Sequence, residues 1–139
     1  MSQHPNSFRA LPVDRVGGTI TVPGDKSISH RALMLGAVAE GRTVVHGFLA
    51  SEDCLATQAA MEALGATVRR APGEPVQIEG VGLGGLKAPS RVLDLGNSGT
   101  GIRLLMGLLA GQPFACELTG DATVRRCVPW GVAVAMRRP

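Results

Sequence analysis

Residue types that bind small anions cluster directly after Gly24. Lys26 offers a mobile positive charge, Ser27 offers a hydroxyl donor, and Arg31 follows Ser27 by four residues, which is one turn along the same face of a helix. A guanidinium can bind a phosphate or a carboxylate through two parallel hydrogen bonds. The unpaired N–H groups and the positive end of a helix favour an anion at the same place. The cluster therefore predicts an anion-binding turn, against the alternative of a capped helix with solvated charges.

A second polar glycine turn lies further along the chain, at Asn97–Arg103. Gly99 permits close approach of the backbone to a ligand, while Asn97 and Thr100 surround the turn and Arg103 points back along the helix that follows. We predict that these four residues bind substrate. Two such turns could hold two anionic groups of one substrate, or one group from each of two substrates. The alternative is a glycine turn without a ligand.

Two more ionisable residues accompany the turns, and their roles stay open at this point. His30 lies beside the first cluster and either orients it or has a structural role. Asp53 is either a charge that suits the positive end of a helix or a substrate contact.

Two nucleotide-binding patterns are incomplete. A Walker-type loop needs a glycine directly before its lysine and another five positions earlier, but Asp25 and Ile20 occupy those places. The run Gly80–Gly85 matches G-x-G-x-x-G, but Pro89 and Ser90 follow it in place of a helix, so the dinucleotide mechanism fails. We interpret that run as a flexible turn.

Composition limits the remaining classes of function. The 139 residues carry 14 basic and 11 acidic side chains, a mild net charge of +3 that is a poor basis for binding nucleic acid. Three cysteines without C-x-x-C spacing predict neither zinc nor a disulfide framework, and buried Cys54 and Cys116 would suit a reducing cytoplasm. No apolar run reaches the ~18 residues that span a bilayer, and residues 1–16 do not read as a secretory signal. We expect a cytoplasmic protein.

Strand and helix patterns alternate along the chain, which predicts an α/β fold. We predict strands at 18–22, 43–48, 67–70, 76–79, 92–95 and 114–119, helices at 27–39, 51–64 and 102–110, and an ambiguous end with a further helix from Val132. Shifting the sequence by 72 residues superposes Gly24 on Gly96 and Arg31 on Arg103, as well as Leu33 on Leu105 and Met34 on Met106. The matching order of elements favours a duplicated unit.

Four motifs together resemble the 5-enolpyruvylshikimate-3-phosphate synthase family, over residues 18–126. They are Pro23–Ala32, Gly47–Leu49 with Glu52–Thr57, Leu95–Arg103, and Leu118–Ala122. The resemblance implies repeated βαβαββ units around a pseudo-threefold axis. It divides the chain into an N-terminal tail, residues 1–17, and an incomplete domain of about one and a half units, residues 18–139.

The resemblance also implies a reaction and its substrates. The family transfers the enolpyruvyl group of phosphoenolpyruvate to the 5-hydroxyl of shikimate 3-phosphate, by addition and then elimination of phosphate, without metal or cofactor. The related UDP-N-acetylglucosamine enolpyruvyl transferases have a different Lys-Asn loop at the first motif, which makes them a distant second candidate. By matched position, Lys26, Ser27 and Arg31 would contact shikimate 3-phosphate, while Lys26 and Gly99 would contact phosphoenolpyruvate. Asp53 and Arg103 would support them.

A glycine at position 99 is similar to the glyphosate-sensitive form of the family, in which the inhibitor competes with phosphoenolpyruvate. The family is expected to be monomeric. The sequence predicts no membrane or nucleic-acid partner.

Two departures from the family bear on activity. The chain is much shorter than the family, and the catalytic acid and base residues would lie in the remainder, so we expect no turnover from these residues alone. A non-catalytic anion-binding protein is the alternative. We also expect exposed apolar surface where the remainder would pack, and hence self-association.

The second departure is at Cys127–Gly131, where the family has Arg-Pro-Met-Gly-Arg and an arginine that holds phosphoenolpyruvate. Codons for the observed residues, read two bases later, can encode the family's residues. We therefore hypothesise a disturbed reading frame after Arg126, which the coding DNA would test.

Overall fold

The computed structural model describes residues 10–127 and 133–135. Four helices and six strands alternate in it, which confirms the α/β class. In chain order they are α1 (Lys26–Val38), β1 (Glu40–Val45), α2 (Glu52–Ala63), β2 (Thr67–Arg69), β3 (Val76–Val81), β4 (Leu93–Asp94), α3 (Gly99–Leu109), β5 (Cys116–Thr119), α4 (Ala122–Cys127) and β6 (Ala133–Ala135).

The strands form two small sheets. In the first, β3 lies between β1 and β2 and is antiparallel to both. In the second, β5 lies between β4, which is parallel to it, and β6, which is antiparallel. A parallel pair needs a crossover connection, and α3 provides it between β4 and β5.

Polar side chains fix where the first three helices begin. Asp25 accepts a hydrogen bond from the Ile28 N–H at the start of α1. Ser51 accepts a hydrogen bond from the Cys54 N–H at the start of α2, and Ser98 accepts one from the Gly101 N–H at the start of α3. Each cap satisfies an amide that has no partner within its helix, which locates the helix start in the local sequence.

One hydrophobic core joins the two sheets and the helices. Its fully buried members come from both parts of the chain; they include Leu33, Met61, Leu64, Ile78, Leu105 and Leu118. The order α1-β1-α2-β2 recurs as α3-β5-α4-β6, the order of elements expected from the 72-residue shift. No helix among the described residues is long and apolar enough to cross a membrane.

Glycines in the run Gly80–Gly85 allow the backbone to pack closely against neighbouring carbonyl groups. A Cβ atom at Gly80 would overlap the carbonyl oxygens of Gly36 and Ala39 at the end of α1, and one at Gly85 would overlap that of Val81. No helix follows between residues 82 and 98. Gly80 and Val81 belong to β3 and not to the predicted turn, which is confined to the residues after them.

Two predicted elements are wrong. Gly18–Val22 forms no regular secondary structure and lies in neither described sheet, and Ile20 is 84% exposed. Strand patterning alone does not make a strand when no partner accepts the hydrogen bonds. The helix predicted from Val132 is wrong at Ala133–Ala135, which pair with β5 and complete its hydrogen bonds.

Some predictions fall outside the described residues. They concern most of the tail, and residues 128–131 of the departure at Cys127–Gly131. The described helix α4 ends at Cys127, the first residue of that departure.

Candidate functional site

The first turn brings together an ammonium and a carboxylate from different helices. Lys26 Nζ lies 2.8 Å from Asp53 Oδ2, and the lysine side chain stays half exposed. The hydrogen bond to Asp53, and then its negative charge, raise the pKa of Lys26. Asp53 thus holds a permanently charged ammonium at the start of α1, facing solvent from which an anion can enter.

The start of α1 is fastened to the loop that follows β1. Ser29 Oγ donates to the Asp25 carbonyl at 2.8 Å and accepts from the Leu49 N–H at 3.0 Å. Gly24 packs so closely on the Gly47 carbonyl that a Cβ atom would overlap it. The turn that carries Lys26 and Ser27 is therefore a fixed structure, in which Gly24 is required for close approach.

The two predicted arginines occupy equivalent positions. Arg31 Nη1 donates to the Ser27 carbonyl at 3.0 Å, and Arg103 Nη1 lies 3.5 Å from the Gly99 carbonyl. Within each pair the two residues are four positions apart, and the 72-residue shift superposes one pair on the other. Both arginine side chains are exposed. Each guanidinium thus lies along the first turn of its own helix with donors left over for a ligand.

The second turn is built around Ser98. Its buried hydroxyl accepts from the Gly101 N–H at 3.0 Å, which caps α3, while Asn97 is exposed and Gly99 and Thr100 are half-buried. A Cβ atom at Gly101 would lie 2.6 Å from Ser98 Oγ. The polar residues that were predicted to bind substrate therefore surround a helix N-terminus, the expected place for an anion.

His30 lies buried between the two turns. Its Nδ1 is 2.8 Å from Thr57 Oγ1 on α2, and its Nε2 is 3.5 Å from Ser98 Oγ at the start of α3. Burial lowers the pKa of His30, as do the charges of Lys26 and Arg31, against an opposing effect of Asp53. The imidazole is thus neutral and connects elements that carry both predicted clusters.

The structure brings some of the predicted residues into contact and leaves others on their own turn. Lys26 and Asp53 pair directly, whereas the Arg31 and Arg103 side chains donate to the Ser27 and Gly99 carbonyls of their own helices. Sequence reasoning missed Thr57. It lies one helical turn after Asp53 and donates to the Asp53 carbonyl at 3.3 Å, so a buried polar residue at that spacing was the available signal.

Among the described residues, no group of three or more His, Cys, Asp or Glu side chains could hold a metal ion. Cys54 and Cys116 are both buried, as predicted. The Cys54 thiol lies under the first turn, with Sγ 3.7 Å from the Lys26 carbonyl.

Comparison with known proteins identifies the fold and the turns together. The family model of EPSP synthase (3-phosphoshikimate 1-carboxyvinyltransferase) matches residues 11–126, which include both turns. The chain belongs to the EPSP synthase family. The matched region ends at residue 126, directly before the segment in which the sequence analysis expects a departure from the family.

Relatives of known sequence agree with this family. The chain is 59% identical over 119 residues to the 3-phosphoshikimate 1-carboxyvinyltransferase of Methylococcus capsulatus, and 53% identical over 120 residues to that of Coxiella burnetii. Each alignment covers 86% of this chain and 27% of the relative. The chain thus spans about a quarter of the length of the curated EPSP synthases it matches.

A solved structure agrees as well. An EPSP synthase from Acinetobacter baumannii is 49% identical, with a TM-score of 0.72, and the alignment covers 81% of this chain and 27% of that one. The fold of the described residues is therefore that of part of an EPSP synthase.

Proposed function

We propose that these residues form part of the substrate-binding face of an enzyme that transfers the enolpyruvyl group of phosphoenolpyruvate to the 5-hydroxyl of shikimate 3-phosphate. The products would be 5-enolpyruvylshikimate 3-phosphate and inorganic phosphate. We place this enzyme in the cytoplasm, as a monomer when complete, acting on small molecules only. The partial domain would begin at residue 18 and contain about one and a half βαβαββ units.

The Lys26–Asp53 pair is the observation that carries this proposal. Both substrates are phosphate esters, and Lys26 stands charged at the N-terminus of α1 beside Asp53 in the first turn of α2. We assign Lys26, Ser27 and Arg31 to shikimate 3-phosphate, and Lys26 with Gly99 to phosphoenolpyruvate. Asn97, Thr100 and Arg103 would complete the second turn, while Asp53 keeps Lys26 in place.

These residues bind and orient, and the proton transfers need other groups. The addition and elimination steps require an acid and a base near the reacting carbon atoms. The relatives are almost four times as long as the aligned part, and we assign the acid and base residues to that additional length.

Calorimetry with shikimate 3-phosphate tests the binding site. Replacing Lys26 by Ala should weaken binding by at least about tenfold, because a charge-assisted hydrogen bond is lost. Asp53→Asn should weaken it less, since the ammonium remains but is no longer held. Lys87→Ala is the matched control, because Lys87 is the one other lysine in the sequence and lies outside both turns. Equal losses in the Lys26 and Lys87 variants would contradict the assignment.

An anion-binding protein without catalysis is the second candidate, because the contacts of the two turns suit an anion and do not by themselves supply an acid and a base for the reaction. A coupled assay of phosphate release decides between the two. We expect no turnover from the 139-residue polypeptide alone, and turnover after the remaining part of an EPSP synthase is added. Binding without turnover in both conditions would favour the non-catalytic alternative. Turnover by the polypeptide alone would overturn our placement of the acid and base residues.

A further inference from the structure

Three polar side chains from three helices meet in the core beneath the two turns. His30 on α1 and Thr57 on α2 are fully buried, and Ser98 at the start of α3 is 1% exposed. Buried polar groups are costly unless each finds a partner. All three do so within the cluster or on the backbone next to it.

The partners fix where each proton lies. The Gly101 N–H must donate to Ser98 Oγ, so the serine hydroxyl proton is available for His30 Nε2. Thr57 Oγ1 lies 3.3 Å from the Asp53 carbonyl, which can only accept. Thr57 therefore receives its own hydrogen bond from His30 Nδ1, and the imidazole is neutral with its proton on Nδ1.

The hydrogen bonds thus run in one direction, from the Gly101 N–H through Ser98, His30 and Thr57 to the Asp53 carbonyl. We propose that His30 is a positioning residue that holds the second turn in a fixed relation to the residue that anchors Lys26. The role in substrate binding rests on the proposed function, whereas the arrangement of protons does not.

Both ends of this chain of bonds are parts of the site. Gly101 lies two residues after Gly99, and Asp53 uses its side chain for Lys26 while its carbonyl accepts from Thr57. A second proton on His30 would place a donor against the Ser98 hydroxyl and remove its acceptor. The hydrogen bonds run in this direction only with the neutral ring, because a doubly protonated ring would donate to Ser98 Oγ and leave the serine proton without its acceptor.

Nitrogen-15 NMR of the unmodified 139-residue chain tests the proton arrangement without any ligand. We expect the His30 signals of a neutral ring protonated at Nδ1 at pH 7, and a changed Nδ1 signal in Thr57→Val. A ring protonated at Nε2, or one that carries both protons at pH 7, would overturn the proposal.

Binding of shikimate 3-phosphate tests the positioning role. Thr57→Val and Ser98→Ala should each weaken binding on the order of tenfold, whereas Thr57→Ser, which keeps the hydroxyl, should restore most of it. Thr67→Val is the matched control, since it makes the same change on exposed β2.

A double-mutant cycle separates positioning from general loss of stability. If one chain of bonds links the turns, Thr57→Val with Ser98→Ala should weaken binding little more than the worse single variant does. Losses that multiply to about a hundredfold would overturn the proposal. Absence of binding by the unmodified chain would instead refute the proposed function, and the nitrogen signals would still decide the proton arrangement.

Discussion

Gly99 and Gly101 lie two positions apart in the first turn of α3, yet their surroundings differ. A Cβ atom at Gly99 would meet only Arg103 Nη1, at 3.6 Å, which is ordinary contact. At Gly101 it would lie 2.6 Å from Ser98 Oγ and 3.0 Å from Thr57 Oγ1. Spacing and composition did not distinguish the two glycines in the sequence, because the difference comes from the folded positions of the Ser98 cap and of Thr57 on another helix.

We therefore predict opposite effects on stability. Gly99→Ala should leave the free energy of unfolding within about 1 kcal/mol, since alanine favours helix and finds space. Gly101→Ala should lower it by about 1–3 kcal/mol, because the new methyl group displaces the Ser98 cap. Urea unfolding of the two variants measures this difference. A larger loss in Gly99→Ala than in Gly101→Ala would contradict it, and any loss of phosphoenolpyruvate binding in a stable Gly99→Ala protein would report on the site itself.

At the level of elements, helices were predicted well and strands less so. The first predicted helix, 27–39, differs from α1 by one residue at each end, because the Asp25 cap and the apolar spacing are local signals. The strand predicted at 43–48 is found at Glu40–Val45 instead. Its position is set by pairing with β3, from Glu40 opposite Val81 to Val45 opposite Val76, and Gly47 with φ 65° turns the chain soon after. Such pairing cannot be read from one segment.

The same limit applies to the end of the chain. The six-residue helix α4 was missed, because it is too short to show apolar periodicity, although Asp121 caps it by accepting from Thr123 and Val124. In the site, the sequence indicated both turns, but it left His30 open and missed Thr57. Both residues act through hydrogen bonds with residues at least 27 positions away in the sequence.

The junction of α1, α2 and α3 at His30 predicts a dependence of stability on pH. The pKa of His30 in the folded chain lies below its ordinary value of 6.5, so the unfolded chain binds the proton first as pH falls. The contribution of neutral His30 to the free energy of unfolding is therefore fully present above about pH 6.5. It declines as the pH falls towards the pKa of His30 in the folded chain, by at most about 1.4 kcal/mol per pH unit for one proton. Thermal unfolding between pH 5 and 8 measures this slope.

His30→Gln provides the comparison for that measurement. It removes the titrating group, so this part of the pH dependence should disappear even though the variant is less stable at pH 8. An unchanged slope in His30→Gln would contradict the assignment.

For the whole molecule, the outer face of α1 and α3 is an apolar surface. A groove lined by Arg31, Met34, Leu35, Leu104 and Leu108 runs between the two helices, and Leu35 is 66% exposed. Contiguous apolar patches of this kind mark interfaces. None of the described residues covers this one, and the relatives have additional chain that could do so.

We predict that the 139-residue polypeptide associates with itself through this face. Leu35→Glu should weaken self-association on the order of tenfold or more, as measured by analytical ultracentrifugation, because a charge would be buried in the contact. Leu83→Glu is the matched control, since Leu83 is 65% exposed and lies away from both helices in sequence. A monomer at all concentrations, or equal effects of the two changes, would argue against this interface.

The two sheets also differ in when they can form as the chain is synthesised. All partners of the β1–β3–β2 sheet are present once Val81 has been made, whereas β4 must wait for β5, which ends at Thr119. The β2–β3 pair closes across a short turn and β1 reaches β3 across α2 and β2, but all of these residues precede β4. The nascent polypeptide can thus form the β1–β3–β2 sheet first, and the second turn is added to a surface that already carries Lys26 and Asp53.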